Sequence, residues 1–376
     1  MDIRLCRQGS ERELVDEFCR KIFDTADDKK KSEFKRQSET DLGNPYYNGP
    51  SLTAIAIRDG NIVGHVTSTA YALWVDGQVR KAHWLSGIHV LPEVRRMGIA
   101  TKLAACITDA LPLITGVLVV EPSRRAFVAN DWIWPGKISD FMHIANPKAF
   151  LATLNSDRLS RFVPDKLLPV MSLALRLSRV PLSLGINCVH RVRGISPNMK
   201  QGGQSFKSVI EFDSGVDELW ESEKNAFKLT HVRNAEYLNW QFPQNKGYRK
   251  LVCHTPSDTT AFAIYNIKEY GERTPLAGLK ALNVIDIFWR FGEPQTLHKI
   301  IRHLLFLGYH EKVDIIMISG NHPSMRKVLR RNSFIKMPST VRVGFHSHNK
   351  TDNFAELFNS SYFTRGYADA AGTMGA

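Results

Sequence analysis

The chain has 376 residues, 43% of them hydrophobic and 23% charged, with a formal net charge of +13. That length asks for two domains or more, and the composition excludes a disordered or fibrous chain. The basic surplus fits anionic partners, from a phosphorylated small molecule to a membrane surface or RNA, without choosing among them.

The N-terminus, Met1-Asp2-Ile3-Arg4, has no signal-peptide apolar region, and no apolar run is long enough to span a bilayer. Cys6, Cys19, Cys106, Cys188 and Cys253 form no C-x-x-C pair, so neither a disulfide framework nor a metal site is expected. The expected location is the cytoplasm. Asp2 to Arg7 is predicted as a strand. Glu11 to Phe23 is predicted as a helix, with Leu14, Phe18 and Ile22 at helical spacing behind a Ser10 cap. Asp27 to Arg36 is a charged, solvated segment. Asn44 to Pro50 is a loop; its Tyr46 and Tyr47 are expected to pack on the domain surface rather than line a pocket. Ser51 to Arg58 and Asn61 to Ala72 read as strands joined by the hairpin signal Asp59-Gly60. Asp76-Gly77 then turns the chain into a third strand, Gln78 to Val90.

That strand leads into the most informative stretch. Pro92 cannot donate to a ladder and ends it. Beyond the loop, Ile99, Leu103, Cys106, Ile107, Ala110 and Leu111 recur at helical spacing. Arg95-x-x-Gly98-x-Ala100 lies between strand and helix. The first turn of a helix carries amides without partners and partial positive charge, which together suit a pyrophosphate. Gly98 lets backbone come close to such a group. Arg95, Arg96 and Lys102 add full charges at the rim.

Val90-x-Pro92-x-x-Arg95-x-x-Gly98-x-Ala100 resembles the acyl-CoA-binding signature of the GNAT superfamily of N-acetyltransferases. The resemblance implies an α/β fold with a central mixed β-sheet flanked by helices, acetyl-CoA as cofactor and an amine as acceptor. It implies that the backbone of Ile88, His89 and Val90 holds the pantetheine arm. It also implies that Arg95, Arg96, Met97, Gly98, Ile99, Ala100 and Thr101 hold the pyrophosphate. Gly116 to Val120 is the expected next strand. Glu121 to Trp132 is similar to the family's next motif, a helix ending in Gly-Phe, but departs from it twice. Asp131-Trp132 stands where Gly-Phe is usual. Phe127 falls where many members carry the tyrosine that protonates departing CoA, and phenylalanine cannot donate a proton. The strand before the signature has no acid, so Glu121 and His89 are the candidates for general base.

The rest divides into a basic and apolar connector, 146–205, a second unit, 206–346, and a loosely held tail, 347–376, after a first domain of residues 1–145. In the connector, Leu168 to Val180 interleaves apolar residues with Arg176 and Arg179. Such a helix can lie on an anionic membrane. Pro164, Pro169 and Pro181 are expected to break it into short pieces packed between domains. Arg233 to Phe242 resembles an element of bacterial proteins with two tandem GNAT-like units, with Arg233 a weak candidate to reach an anionic substrate. Lys250–His254, Thr260–Ile267, Gly278–Phe288 and Val313–Ser319 read as strands, and Pro294–Leu307 and Ser324–Arg331 as helices. This repeats the second half of a GNAT unit. However, Phe288-Trp289-Arg290-Phe291-Gly292-Glu293-Pro294 stands in place of the phosphate loop, so this copy is not expected to bind CoA.

The leading expectation is acetyl transfer to a primary amine, on an amino-sugar nucleotide or a surface-polysaccharide precursor. A tRNA-dependent aminoacyl transferase of the peptidoglycan-bridge type is the alternative, and the intact CoA loop argues against a nucleic-acid partner. A non-catalytic CoA-binding protein is the third reading. Peripheral membrane contact is compatible with all three, and the sequence fixes no oligomeric state.

Overall fold

The computed structural model describes residues 1–6, 11, 13–15, 17–18, 43–46, 52–118, 121–154, 168–196, 205–256, 258–271, 276–339, 341–364 and 366. The first seven strands are β1 (Asp2–Leu5), β2 (Thr53–Arg58), β3 (Asn61–Val75), β4 (Gln78–Val90), β5 (Leu113–Leu118), β6 (Ile133–Lys137) and β7 (Ser139–Ile144). Then come β8 (Ser205–Val209), β9 (Leu229–His231), β10 (Arg249–His254), β11 (Thr259–Glu269) and β12 (Lys280–Trp289). The last are β13 (Ile315–Gly320), β14 (Ile335–Met337), β15 (Arg342–Ser347) and β16 (Ser361–Tyr362). The helices are α1 (Ile99–Ala110), α2 (Glu121–Val128), α3 (Pro147–Thr153), α4 (Leu168–Val192), α5 (Ser214–Glu223), α6 (Ala235–Gln241), α7 (Pro294–His310), α8 (Pro323–Arg331) and α9 (Phe354–Leu357). Of the helix expected over Glu11 to Phe23, residues 11, 13–15 and 17–18 are described and helical. The charged segment 27–36 and Tyr47 lie outside the described residues.

The chain forms two compact units, neither of them a continuous stretch. The first comprises Met1–Ile138, Trp220–Phe242 and Ser339–Gly372. Its sheet runs β1-β2-β3-β4-β5-β15-β6, with β9 beside the far end of β3 and β16 beside β9. β4 and β5 are parallel and their neighbours antiparallel. The Asp59-Gly60 and Asp76-Gly77 turns carry positive φ at both residues, which binds consecutive strands into hairpins. On one sheet face, Ile99, Leu103, Ala104 and Ile107 of α1 pack on Val66, Leu85 and Ile114. On the other, Val15 and Phe18 pack on Ile55 and Ile62. The second unit comprises Ser139–Leu219, Pro243–Pro338 and Thr373–Ala376. Its sheet, β14-β7-β13-β12-β11-β10-β8, repeats the plan: antiparallel strands, the parallel pair β12 and β13, then antiparallel strands again.

The plan holds a long-range exchange. In the first unit the strand beside β5 is β15, from near the chain end. In the second, the strand beside β13 is β7, from the first half. The first sheet therefore holds three strands from the later half of the chain, β9, β15 and β16, and the second sheet holds β7 from the first half.

Three readings are corrected. Trp220 to Phe242, expected within a second unit of residues 206–346, does not belong to it. β9 pairs with Leu73–Val75, and Trp220 meets Trp74 edge to face, which places the segment in the first unit. The stretch after Ser347 is not loose as far as residue 366. Phe354 and Phe363 are buried against Phe345, and Arg80 pairs with Asp352 at 2.7 Å. Pro169 and Pro181 do not break α4, which is one helix, and Pro164 lies outside the described residues. Pro169 lies in its first turn, where the missing N–H has no role. Pro181 lies on the exposed side, where water can satisfy the freed carbonyl.

Candidate functional site: a bulged strand, an open helix end

β4 follows β3 in register from Val75↔Gln78 to Gly64↔Val90, with one interruption. Thr67 faces Ser86 and Val66 faces Ile88, which leaves Gly87 unpaired at φ 62. Gly87 is thus the extra residue of a β-bulge. A left-handed φ inside a strand is a demand that glycine meets without strain. On its other edge β4 meets β5 only at His83↔Ile114, Trp84↔Thr115 and Leu85↔Gly116. Past those rungs β5 continues alongside β15, while β4 continues alongside β3. The two parallel strands therefore part at the bulge, and the edge of β4 from Ser86 to Val90 faces the opening.

The loop beyond β4 is held from below. Leu91 N–H donates to Val63 O at 2.9 Å, and Val94 of the single turn Pro92–Val94 is buried in the core. Arg95 Nε donates to Val90 O at 3.1 Å, tying the loop to the strand end. Arg96 and Gly98 both have left-handed backbone, at φ 66 and 74. Gly98 is the N-cap of α1, and no side chain caps the helix. The first helical bond runs from Lys102 N–H to Gly98 O at 3.1 Å, so the amides of Ile99, Ala100 and Thr101 precede the ladder. A Cβ on Gly98 would meet nothing within 4 Å, so glycine is required here by φ and the space above it is open. Arg95, Arg96, Met97 and Gly98 are exposed, and Ala100 and Thr101 are half-buried. Ile99 points into the core and anchors the helix start. The structure thus brings Arg95 to Thr101 together as one exposed, electropositive helix end.

Ile88, His89 and Val90 form the strand end above this loop. Ile88 and Val90 pack toward α1, whereas His89 projects to the opposite face and stacks on His65 with ring centroids 5.4 Å apart. Burial, with a smaller push from the Arg95 charge, holds the His89 imidazole below the usual histidine range. His89 is therefore neutral near pH 7. Glu121 does not end a strand as expected; it opens α2, where the helix dipole favours a carboxylate. Its side chain lies outside the described residues.

The departures in the next motif keep the geometry of the residues they replace. Asp131 has φ 60, the left-handed conformation that glycine would supply. Trp132 is buried against Phe127 at 4.8 Å and donates Nε1–H to Thr108 Oγ1 at 3.1 Å. Phe127 is fully buried in the core on which α1 packs. Ser333-Phe334 repeats the device after α8, with Ser333 at φ 61 and Phe334 buried.

Sequence reasoning missed Gly87 and the cluster beside it. Glycine inside a strand pattern was the available signal for the bulge. At the last rungs before the strands part, Tyr71 Oη and Thr115 Oγ1 share a hydrogen bond of 2.5 Å. The Tyr71 ring lies against Trp84 and His231. Burial raises the Tyr71 phenol and lowers His231, so both are neutral across the working range. Tyr46 Oη is 2.9 Å from Asn234 Oδ1 and its ring packs on Tyr237, in line with a packing role. Arg233 is fully buried. It donates to Thr230 Oγ1 at 2.7 Å and His231 O at 3.1 Å over the Tyr362 ring, so it braces the fold rather than reaching a substrate.

The second unit keeps the bulge but enters its helix differently. Its ladder shifts between Ile264↔Asp286 and Tyr265↔Val284, the counterpart of the Gly87 step. Phe288 and Trp289 are fully buried, and Phe291 packs on Trp289 and His322. Glu293 caps α7, and its carboxylate accepts from Thr296 Oγ1 at 2.8 Å. A negative charge therefore sits at the start of α7. Among the described residues no group of His, Cys, Asp and Glu could hold a metal ion.

Residues 12–111 match the sequence model of the acetyltransferase (GNAT) domain. The fold is a GNAT fold. A GCN5-related N-acetyltransferase from Anabaena variabilis superposes with a TM-score of 0.56 at 9% identity, covering 93% of this chain and 73% of that chain. Saccharomyces cerevisiae N-myristoyltransferase with bound myristoyl-CoA gives 0.56 at 12% identity, over 92% of this chain and 82% of that chain. A GCN5-related N-acetyltransferase from Kribbella flavida gives 0.55 at 11% identity, over 92% and 70%. Comparison with curated protein sequences gives no match. Against the GNAT plan, the match spans the helix before β2, the three antiparallel strands, the loop and α1, while the two-sheet architecture covers the rest.

Proposed function

We propose that the first unit binds acetyl-CoA and transfers its acetyl group to a primary amine. The observation that carries this reading is the uncapped, left-handed entry to α1 at Gly98, set beneath a strand whose edge is released at Gly87. The amides of Ile99, Ala100 and Thr101, with Arg95, Arg96 and Met97 around them, form the pyrophosphate site. The exposed edge at Ile88, His89 and Val90 carries the pantetheine amides. The thioester then lies at the bulge, where the freed backbone amide near Ile88 stabilises the oxygen as it gains charge.

The acceptor nitrogen attacks the thioester carbon, the C–S bond breaks, and CoA leaves as the thiol. The ammonium proton must be removed for attack to occur. His89, neutral and adjacent to the bulge, is the proposed base, and Glu121, at the start of α2, is the second candidate. An amino-sugar nucleotide heads the acceptor classes. The likeness to N-myristoyltransferase supports the acyl-CoA part of the reading and sets a second donor to test beside acetyl-CoA.

Calorimetric titration of acetyl-CoA, with myristoyl-CoA in parallel, into wild type and Gly98→Asp tests the site. Binding in the micromolar range, about −8 kcal/mol, lost in the variant, is the expected result. Equal binding by both proteins overturns the loop as the phosphate site. Thiol release with a panel of amines, amino sugars included, then identifies the acceptor class.

A further inference from the structure

We propose that α4 docks the protein on an anionic lipid bilayer, lying in the plane of its surface. Within the second unit, α4 turns a narrow stripe inward. Ile186 packs on the cluster around Met142, Tyr270 and Ile315, and His190 is buried with its ring stacked on His143 at 4.5 Å. Arg179, on the same stripe, donates to Leu154 O at 3.0 Å. These positions, 179, 186 and 190, recur at helical spacing.

From Val180 to Val192 the solvent side is largely apolar, with Asn187 and Arg191 its exposed polar residues. Val180 is 69% exposed, Leu184 64% and Val192 83%, and Leu182 and Val189 are nearly half exposed. Pro181, Gly185 and Cys188 complete that face. A surface helix ordinarily presents charge to water and apolar residues to its protein; here the arrangement is reversed. Contiguous apolar surface of this kind marks an interaction site.

Charge selects the occupant. From Lys166 to Ile210 the sequence contains no Asp or Glu, while Lys166, Arg176, Arg179, Arg191, Arg193, Lys200 and Lys207 are all basic. An acid-free basic stretch carrying an apolar helical face complements anionic headgroups over an acyl layer, and such helices lie at that boundary. No helix among the described residues is long and apolar enough to cross a membrane, so the mode is peripheral.

Flotation of the full chain with vesicles tests this. The expected result is recovery with vesicles containing phosphatidylglycerol, weakened by salt, and little recovery with pure phosphatidylcholine. Val180→Asp with Leu184→Asp should abolish recovery, and Arg191→Gln should weaken it about fivefold. All three positions are solvent-exposed, and unchanged melting curves establish that the variants fold. Failure of wild type to float, equal recovery with neutral vesicles, or full recovery of the double variant overturns the proposal. So does a wild-type dimer in sedimentation that the double variant converts to monomer without any vesicle binding, which assigns the face to a second copy.

Discussion

His89 folds back over Gly87: a Cβ built on Gly87 would stand 2.8 Å from His89 Nε2. The residue that opens the strand edge and the proposed base therefore share one space. Gly87→Ala must adopt a left-handed backbone, at about 1–2 kcal/mol, and must also displace the imidazole. Turnover should fall more than acetyl-CoA affinity. Adding His89→Ala to Gly87→Ala should relieve the clash and recover part of the stability, measured by urea unfolding. No recovery would show that the two residues do not compete for that space.

If His89 is the base, His89→Gln should lower kcat/KM by about 100-fold and leave acetyl-CoA binding intact. In wild type, protonation disables the base. Because the His89 pKa lies below the ordinary 6.5, the acid limb of the rate profile should fall below that pH. A variant that retains the acid limb would transfer the role to another group, Glu121 first.

Gly98→Ala separates backbone strain from occupancy. The open space above Gly98 can hold a methyl group, so the stability loss should be about 1–2 kcal/mol, from φ alone. Gly98→Asp adds a carboxylate at the anion site, and its acetyl-CoA affinity should fall much further than that of Gly98→Ala. Parallel calorimetry and thermal melts distinguish the two losses.

The second unit should hold no CoA, and calorimetry should count a single site per chain. Glu293→Gln removes the resident charge at α7 but leaves Phe288, Trp289 and Phe291 in place. That variant should still show one site. A second site appearing on this single change would mean that charge alone had closed the copy.

Acid should unfold the protein through its buried histidines. Burial lowers His65 to about 3, with a smaller contribution from His89, and His83 to about 4, with one from Lys81. Burial lowers His143 to about 3 and His303 and His322 to about 4. The unfolded chain binds these protons at about pH 6.5, so it holds more protons than the folded state below that pH. The stabilisation is full above about pH 6.5 and declines as pH falls toward the lowered values. Each titrating histidine contributes up to about 1.4 kcal/mol per pH unit. Urea midpoints that stay constant from neutral pH down to the lowered values would contradict this.

Local structure was legible because it is written in local residues. Asp59-Gly60, Asp76-Gly77, Pro92 and the spacing of Ile99, Leu103 and Ile107 each act within one turn or hairpin. The bend at Gly98 was legible for the same reason. The partners of Leu229–His231 and of Arg342–Ser347 were not, because they lie far away in the chain and leave no periodic trace. The buried state of Arg233 was hidden likewise: a guanidinium reads as a surface group until Thr230, His231 and Tyr362 close around it. Asp131 and Ser333 were misleading in another way, since each adopts a backbone conformation usually assigned to glycine.

The donation of β15 to β5 has a consequence during synthesis. Leu113–Leu118 leaves the ribosome long before Arg342–Ser347 exists. Until then one border of the nascent sheet stays unsatisfied, a state prone to wrong pairing with other chains. A ribosome stalled anywhere short of Arg342–Ser347 would carry an incomplete first sheet, so this unit is expected to reach its fold only near the close of translation.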